Sequence, residues 1–107
     1  MDRRDTVTGY YDAIDAGAYD RLAGLLDPAF VHRRPDRTLD GRERFVAFMR
    51  DDRPRTDTEH VLDEVCVGPE TVFARGRLRA DDEDLFGFVD VFRVADERIE
   101  SLTTYTD

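Results

Sequence analysis

The stretch Leu85-Phe86-Gly87-Phe88-Val89-Asp90-Val91-Phe92-Arg93-Val94 decides the fold. Its residues alternate with a period of two, as a strand requires. One face carries Phe86, Phe88, Asp90 and Phe92; the other carries Val89 and Val91 with Arg93. A strand that is apolar on both sides is covered on both sides. One cover must be the rest of this chain. The other is expected to be a second copy, so the outer face of the sheet predicts a homodimer.

The neighbouring segments extend the same period. Residues 59–67, 71–79 and 98–106 also read as strands, separated by Gly68-Pro69, Asp81-Asp82-Glu83-Asp84 and Ala95-Asp96-Glu97. Connections this short join antiparallel partners. In 71–79 one face is Val72, Ala74, Gly76 and Leu78, and the other is Phe73 with Arg75, Arg77 and Arg79. The arginine row reads as a solvated face, neutralised by the adjacent acidic run.

Upstream of residue 58 the period is helical. Val7, Tyr10, Tyr11 and Ile14 form one stripe within residues 3–16, and Gly17 suits the stop. Tyr19, Leu22, Leu25 and Leu26 predict a second helix over 19–26, closed by Asp27-Pro28. Residues 29–34 read as extended. Asp40 is placed to cap a third helix, with Glu43 completing a capping box before Phe45, Phe48 and Met49. Helices first and strands afterwards predict an α+β fold, with the helices on one face of the sheet.

The whole chain, 1–107, is one domain's worth, with no repeat or linker to divide it. It is 40% apolar and carries seven Phe and four Tyr, enough for one real core. The net charge of −9 repels phosphate backbones, so nucleic-acid binding is not expected. No stretch approaches the roughly 20 apolar residues that cross a bilayer, and no basic-then-apolar leader opens the chain. All 16 bases are Arg, and Asp outnumbers Glu 18 to 7. An acidic, Lys-free surface is what concentrated salt favours, which predicts a halophilic source; a GC-rich coding bias is the competing explanation for the missing Lys. Cys66, the single thiol, lies between Val65 and Val67 and reads as a small hydrophobe in a protein of the reducing cytoplasm. With two His and one Cys there is no metal set, and no cofactor motif occurs.

Asp90 is the residue that the pattern does not explain. A carboxylate between Phe88 and Phe92 must be paired with an Arg, hydrogen-bonded or protonated. A neutral acid there could donate to a developing oxyanion. Tyr10, on the inner face of the first helix, could reach the same space. His32, followed by Arg33, Arg34 and Pro35, puts an imidazole and two cations near a cavity mouth. His60 reads as incidental, and Tyr105 and Asp107 as parts of a frayed end.

Several of these segments resemble the SnoaL-like and ketosteroid-isomerase-like proteins of the nuclear transport factor 2-like superfamily. The first is Tyr10-Tyr11-Asp12-Ala13-Ile14-Asp15-Ala16-Gly17. The others are Leu25-Leu26-Asp27-Pro28 with the run to Pro35, the Asp40-Gly41-Arg42-Glu43 helix entry, and Val89-Asp90-Val91-Phe92-Arg93-Val94 with Ile99 and Tyr105. The resemblance implies three helices packed on a curved antiparallel sheet, forming a cone with an apolar pocket, in a dimer. It implies Tyr10 and Asp90 as an oxyanion pair. The position of the isomerase base is Arg34 here, which cannot be deprotonated; His32 is the substitute. Phe30, Phe48, Phe86 and Phe88 are expected around a small apolar ligand, with Arg34 at the rim. The implied chemistry is proton transfer beside a carbonyl: isomerisation, cyclisation or dehydration. The alternative is a non-catalytic dimeric binding module, whose phenylalanines would fill the cavity.

Overall fold

The computed structural model describes residues 2–107. Helix α1 (Arg3–Ala16) starts where the Asp2 side chain accepts the amide of Asp5, and ends at Gly17, which turns left-handed at φ 68°. Helix α2 (Tyr19–Gly24) stops two residues before the apolar stripe does. Leu26 already belongs to strand β1 (Leu26–Arg33), and Asp27-Pro28 lies inside that strand rather than closing a helix. The sheet takes this segment: Leu26 pairs with Ile99, and the Ile99 amide donates to the Leu25 carbonyl. Leucine stripes bury equally well in either state, so the ladder decides.

A three-residue strand, β2 (Thr38–Asp40), pairs with β1 and carries no apolar alternation that would announce it. It also removes the expected cap. Asp40 ends the strand, and helix α3 (Arg42–Ala47) begins from Gly41 at φ 99° with no side-chain cap, so the capping box does not form. The helix continues as a π-helical turn over Phe48–Asp52. Arg53, which precedes Pro54, is extended and ends it.

Strands β3 (Glu59–Val67), β4 (Thr71–Ala80), β5 (Glu83–Ala95) and β6 (Arg98–Thr106) form the antiparallel meander read from the sequence. The sheet order is β2-β1-β6-β5-β4-β3. It is antiparallel except where β1 runs parallel to β6, so the sheet is mixed rather than wholly antiparallel. Register shifts in β1, β3, β4 and β5 bend it into an open cone. At the β3–β4 crossing, a Cβ on Gly76 would sit 2.2 Å from the Val61 carbonyl oxygen, so only glycine fits.

The core lies between the sheet's concave face and the helices. Phe88, Phe92, Ile99 and Leu102 meet Val7, Tyr10, Tyr11, Ile14, Leu22 and Phe45, all buried. The convex face keeps Phe73, Val89 and Tyr105 exposed. Register puts Phe73 beside Val91 and Val89 beside Tyr105, so they form one patch. Cys66, opposite Phe73, is exposed on that face rather than buried. No helix among the described residues is long and apolar enough to cross a membrane.

Candidate functional site

The cone encloses an open cavity of about 490 Å³. Its walls include Tyr10 and Ile14 from α1, His32 from β1, His60 from β3, and Phe86, Phe88 and Asp90 from β5. Phe86 and Phe88 line it as expected. Phe30 does not: it is fully buried in the core against Phe45. Phe48 does not either; it lies beneath the guanidinium groups of Arg34 and Arg37. The cavity is therefore not filled by its phenylalanines.

Asp90 is buried at one wall, and no Arg forms an ion pair with it among the described residues. Its partners are hydroxyls. Tyr11 donates to Oδ2 at 2.6 Å, and Thr104, its cross-strand neighbour on β6, donates to Oδ1 at 2.5 Å. Such short contacts are those of hydroxyls on a carboxylate. Burial pushes the Asp90 carboxyl above its usual range, against the pull of Thr104 and Tyr11.

Tyr10 and Asp90, expected as an oxyanion pair, both line this cavity, but the phenol bonded to Asp90 is Tyr11. Both tyrosines face inward, and the stripe alone does not distinguish them. Tyr10 sits edge-on to Tyr11 and Phe92 and lines the cavity, and its hydroxyl has no hydrogen-bond partner among the described residues. Burial, then the Asp90 charge, raise its pKa and keep it a donor.

His32 continues the network outward. Thr104 spends its proton on Asp90, so its oxygen accepts from His32 Nε2 at 2.8 Å. The imidazole therefore carries its hydrogen on Nε2 and leaves a lone pair on Nδ1, which has no partner among the described residues. Burial first, then the nearby Arg34 cation, push its pKa down to about 3. A ring this hard to protonate is a weak base, so the geometry does not favour His32 as the proton acceptor.

His60 is placed differently. Asp15, in the last turn of α1, accepts the His60 backbone amide at 2.9 Å with Oδ2 and the ring Nδ1 at 2.6 Å with Oδ1. A carboxylate can only accept, so Nδ1 bears the hydrogen and Nε2 of the neutral ring is a lone pair. The ring packs against Tyr11 and Phe88, lines the cavity, and leaves Nε2 without a partner among the described residues. Sequence reading passed over this pair because 45 residues separate its members. Its only signal is that His60 alternates with the inward Leu62.

Three arginines reach the mouth. Arg34 pairs with Asp36 at 3.3 Å, and Arg55 pairs with Asp57 and Asp81. Arg53 sends one terminal nitrogen to the Ile14 carbonyl at 3.5 Å and the Tyr19 hydroxyl at 3.4 Å. Asp107 lines the cavity too, accepting the Gly87 amide, so it is tied rather than frayed. Tyr105 points to the other face and stays exposed. Among the described residues, no three His, Cys, Asp or Glu side chains gather as metal ligands.

A family model, the SnoaL-like domain, matches residues 7–102. No curated protein matches the chain. Among solved structures, it is similar to a nuclear transport factor 2-like protein of unknown function from Cytophaga hutchinsonii. The TM-score is 0.87 at 17% identity, covering 100% of this chain and 91% of that one. A protein from Kribbella flavida provisionally named a ketosteroid isomerase aligns with TM-score 0.85 and 18% identity over 97% and 76% of the two chains. An LEH-like epoxide hydrolase of Mycobacterium tuberculosis aligns with TM-score 0.79 and 18% identity over 95% and 80%. At these identities the likeness is one of fold.

Proposed function

The chain belongs to the SnoaL-like domain family, and from that premise we propose that its pocket moves a proton beside a carbonyl of a small, mainly apolar molecule. The observation that carries this reading is a pair of unsatisfied groups in one cavity: the Nε2 of His60, backed by Asp15, and the hydroxyl of Tyr10. His60 takes the carbon-bound proton. Asp15 fixes the tautomer and steadies the imidazolium that forms. Tyr10, held protonated, donates to the oxygen on which negative charge develops. Asp90 serves through Tyr11 and Thr104, holding the wall beside Tyr10. This assignment replaces His32, the substitute expected because Arg34 occupies the position of the isomerase base. Two solved neighbours bear the names of a ketosteroid isomerase and an epoxide hydrolase, which supports the reading.

The same reading includes a homodimer through the convex patch of Phe73, Val91, Val89 and Tyr105, and residence in a reducing cytoplasm, which suits an exposed thiol.

The test is deuterium exchange at the α-carbon of 2-tetralone and of a 3-oxo ester of similar size in D₂O, followed by NMR. Wild type should exceed buffer. His60→Asn should lose on the order of 10²–10⁴ of that rate, and Asp15→Asn and Tyr10→Phe should each lose part of it. Exchange that is unchanged in His60→Asn, or no faster than buffer in wild type, overturns the assignment.

A further inference from the structure

We infer that the pocket has an anion seat at Arg53, and that its ligand is an apolar molecule bearing a carboxylate. This deepens the reading of the pocket given above and rests on it. The charged side chains around the cavity nearly all have ion-pair or hydrogen-bond partners. Arg34 is matched by Asp36, and Arg55 by Asp57 and Asp81. The carboxylates are satisfied by hydrogen bonds from neutral donors: Asp15 accepts from His60, Asp90 from Tyr11 and Thr104, and Asp107 from the Gly87 amide.

Arg53 is the exception. It is half-buried, lines the cavity, and has no carboxylate within ion-pair distance among the described residues. Of its N–H groups, only those on one terminal nitrogen find acceptors, and both contacts are long. Its Nε–H is buried with no acceptor. An unspent guanidinium in an apolar cavity is costly until an anion meets it, and its planar fork suits a carboxylate.

The location fits the chemistry. Arg53 reaches the carbonyl of Ile14, and the next residue, Asp15, holds His60. Cation and imidazole are thus anchored to adjacent residues of α1. A carboxylate seated on Arg53 lays the rest of the ligand beside His60.

The experiment compares 2-naphthoate with 2-naphthamide, and 1-pyrenebutyrate with its amide, by calorimetric titration of the full chain. The acids should bind at least tenfold more tightly than the amides. Arg53→Gln should erase that preference, Arg53→Lys should keep most of it, and Arg55→Gln should leave it intact. Equal binding of acid and amide to wild type overturns the anion seat while leaving the pocket reading in place. A preference that survives Arg53→Gln, with only the melting temperature lowered, also overturns it and makes Arg53 a cap on α1. Failure of wild type to bind either member of both pairs counts against the seat and the pocket alike.

Discussion

Tyr11 gives its hydroxyl to Asp90 at 2.6 Å across 79 residues of chain, joining the first helix to the fifth strand inside the core. Tyr10, adjacent on the same helix and almost as buried, makes no such bond. The two phenols therefore separate by role. Tyr11→Phe strips a buried carboxylate of one of its two donors and should cost about 1–3 kcal/mol of folding free energy. Tyr10→Phe removes a hydroxyl that bonds no protein group and should stay within about 0.5 kcal/mol. Urea unfolding of the two variants checks the contrast. Equal losses would mean that both hydroxyls are structural.

His32 sets a dependence on acid. The folded state holds its imidazole neutral down to about pH 3, while an unfolded chain protonates it near its ordinary value of 6.5. Below that value the unfolded state binds the extra proton, so stability falls as pH falls from about 6.5 toward 3. The slope is about 1.4 kcal/mol per pH unit. Asp90 acts in the opposite sense, because its carboxyl is raised and protonation favours the folded form. In His32→Gln the acid-side loss between pH 6 and 4 should shrink by roughly that slope. Urea midpoints across the range measure it, and identical slopes in both proteins would refute it.

Gly76 tests the β3–β4 crossing. Its added Cβ meets main chain, not the flexible end of a side chain, so the strands must part. Gly76→Ala should lower stability by about 1–3 kcal/mol or more. Gly24→Ala, at the end of α2 with nothing within 4 Å, should be neutral or gain up to about 1 kcal/mol. Thermal melts of the pair distinguish a steric requirement from a general intolerance of glycine replacement.

The convex patch predicts an association. Phe73 is 46% exposed beside Val91 in the middle of that face. Phe73→Glu sets a charge at the centre of the proposed contact and should convert a dimer into a monomer by sedimentation velocity, with the far-ultraviolet circular dichroism unchanged. A wild type that sediments as a monomer at micromolar concentration would remove the dimer.

The strands from residue 59 onward were legible because a period of two with polar turns has one reading. The strand from Leu26 was not. Leu22, Leu25 and Leu26 satisfy a helical stripe, and only the pairing of Leu26 with Ile99, 73 residues away, makes the last of them extended. Asp40 shows the same limit, since a capping sequence is overruled when β1 recruits the segment as an edge strand. In the site, Asp90 was legible because a lone carboxylate in an apolar strand demands an explanation. The His60–Asp15 pair was not, because each residue alone is an ordinary polar position, and only the fold brings them to 2.6 Å. That Tyr11 rather than Tyr10 bonds Asp90 depends on the rotation of α1, which a stripe fixes only to within one position.

The parallel junction of β1 with β6 has a consequence for synthesis on the ribosome. Residues 26–40 are made early, yet the neighbour they must lie against spans 98–106. Until that segment leaves the exit tunnel, the nascent β1–β2 hairpin has a bare edge, and the wall holding Thr104 does not exist. The cavity is therefore completed only when residues 98–106 arrive, and a chain stalled before them is a half-open sheet in need of a chaperone.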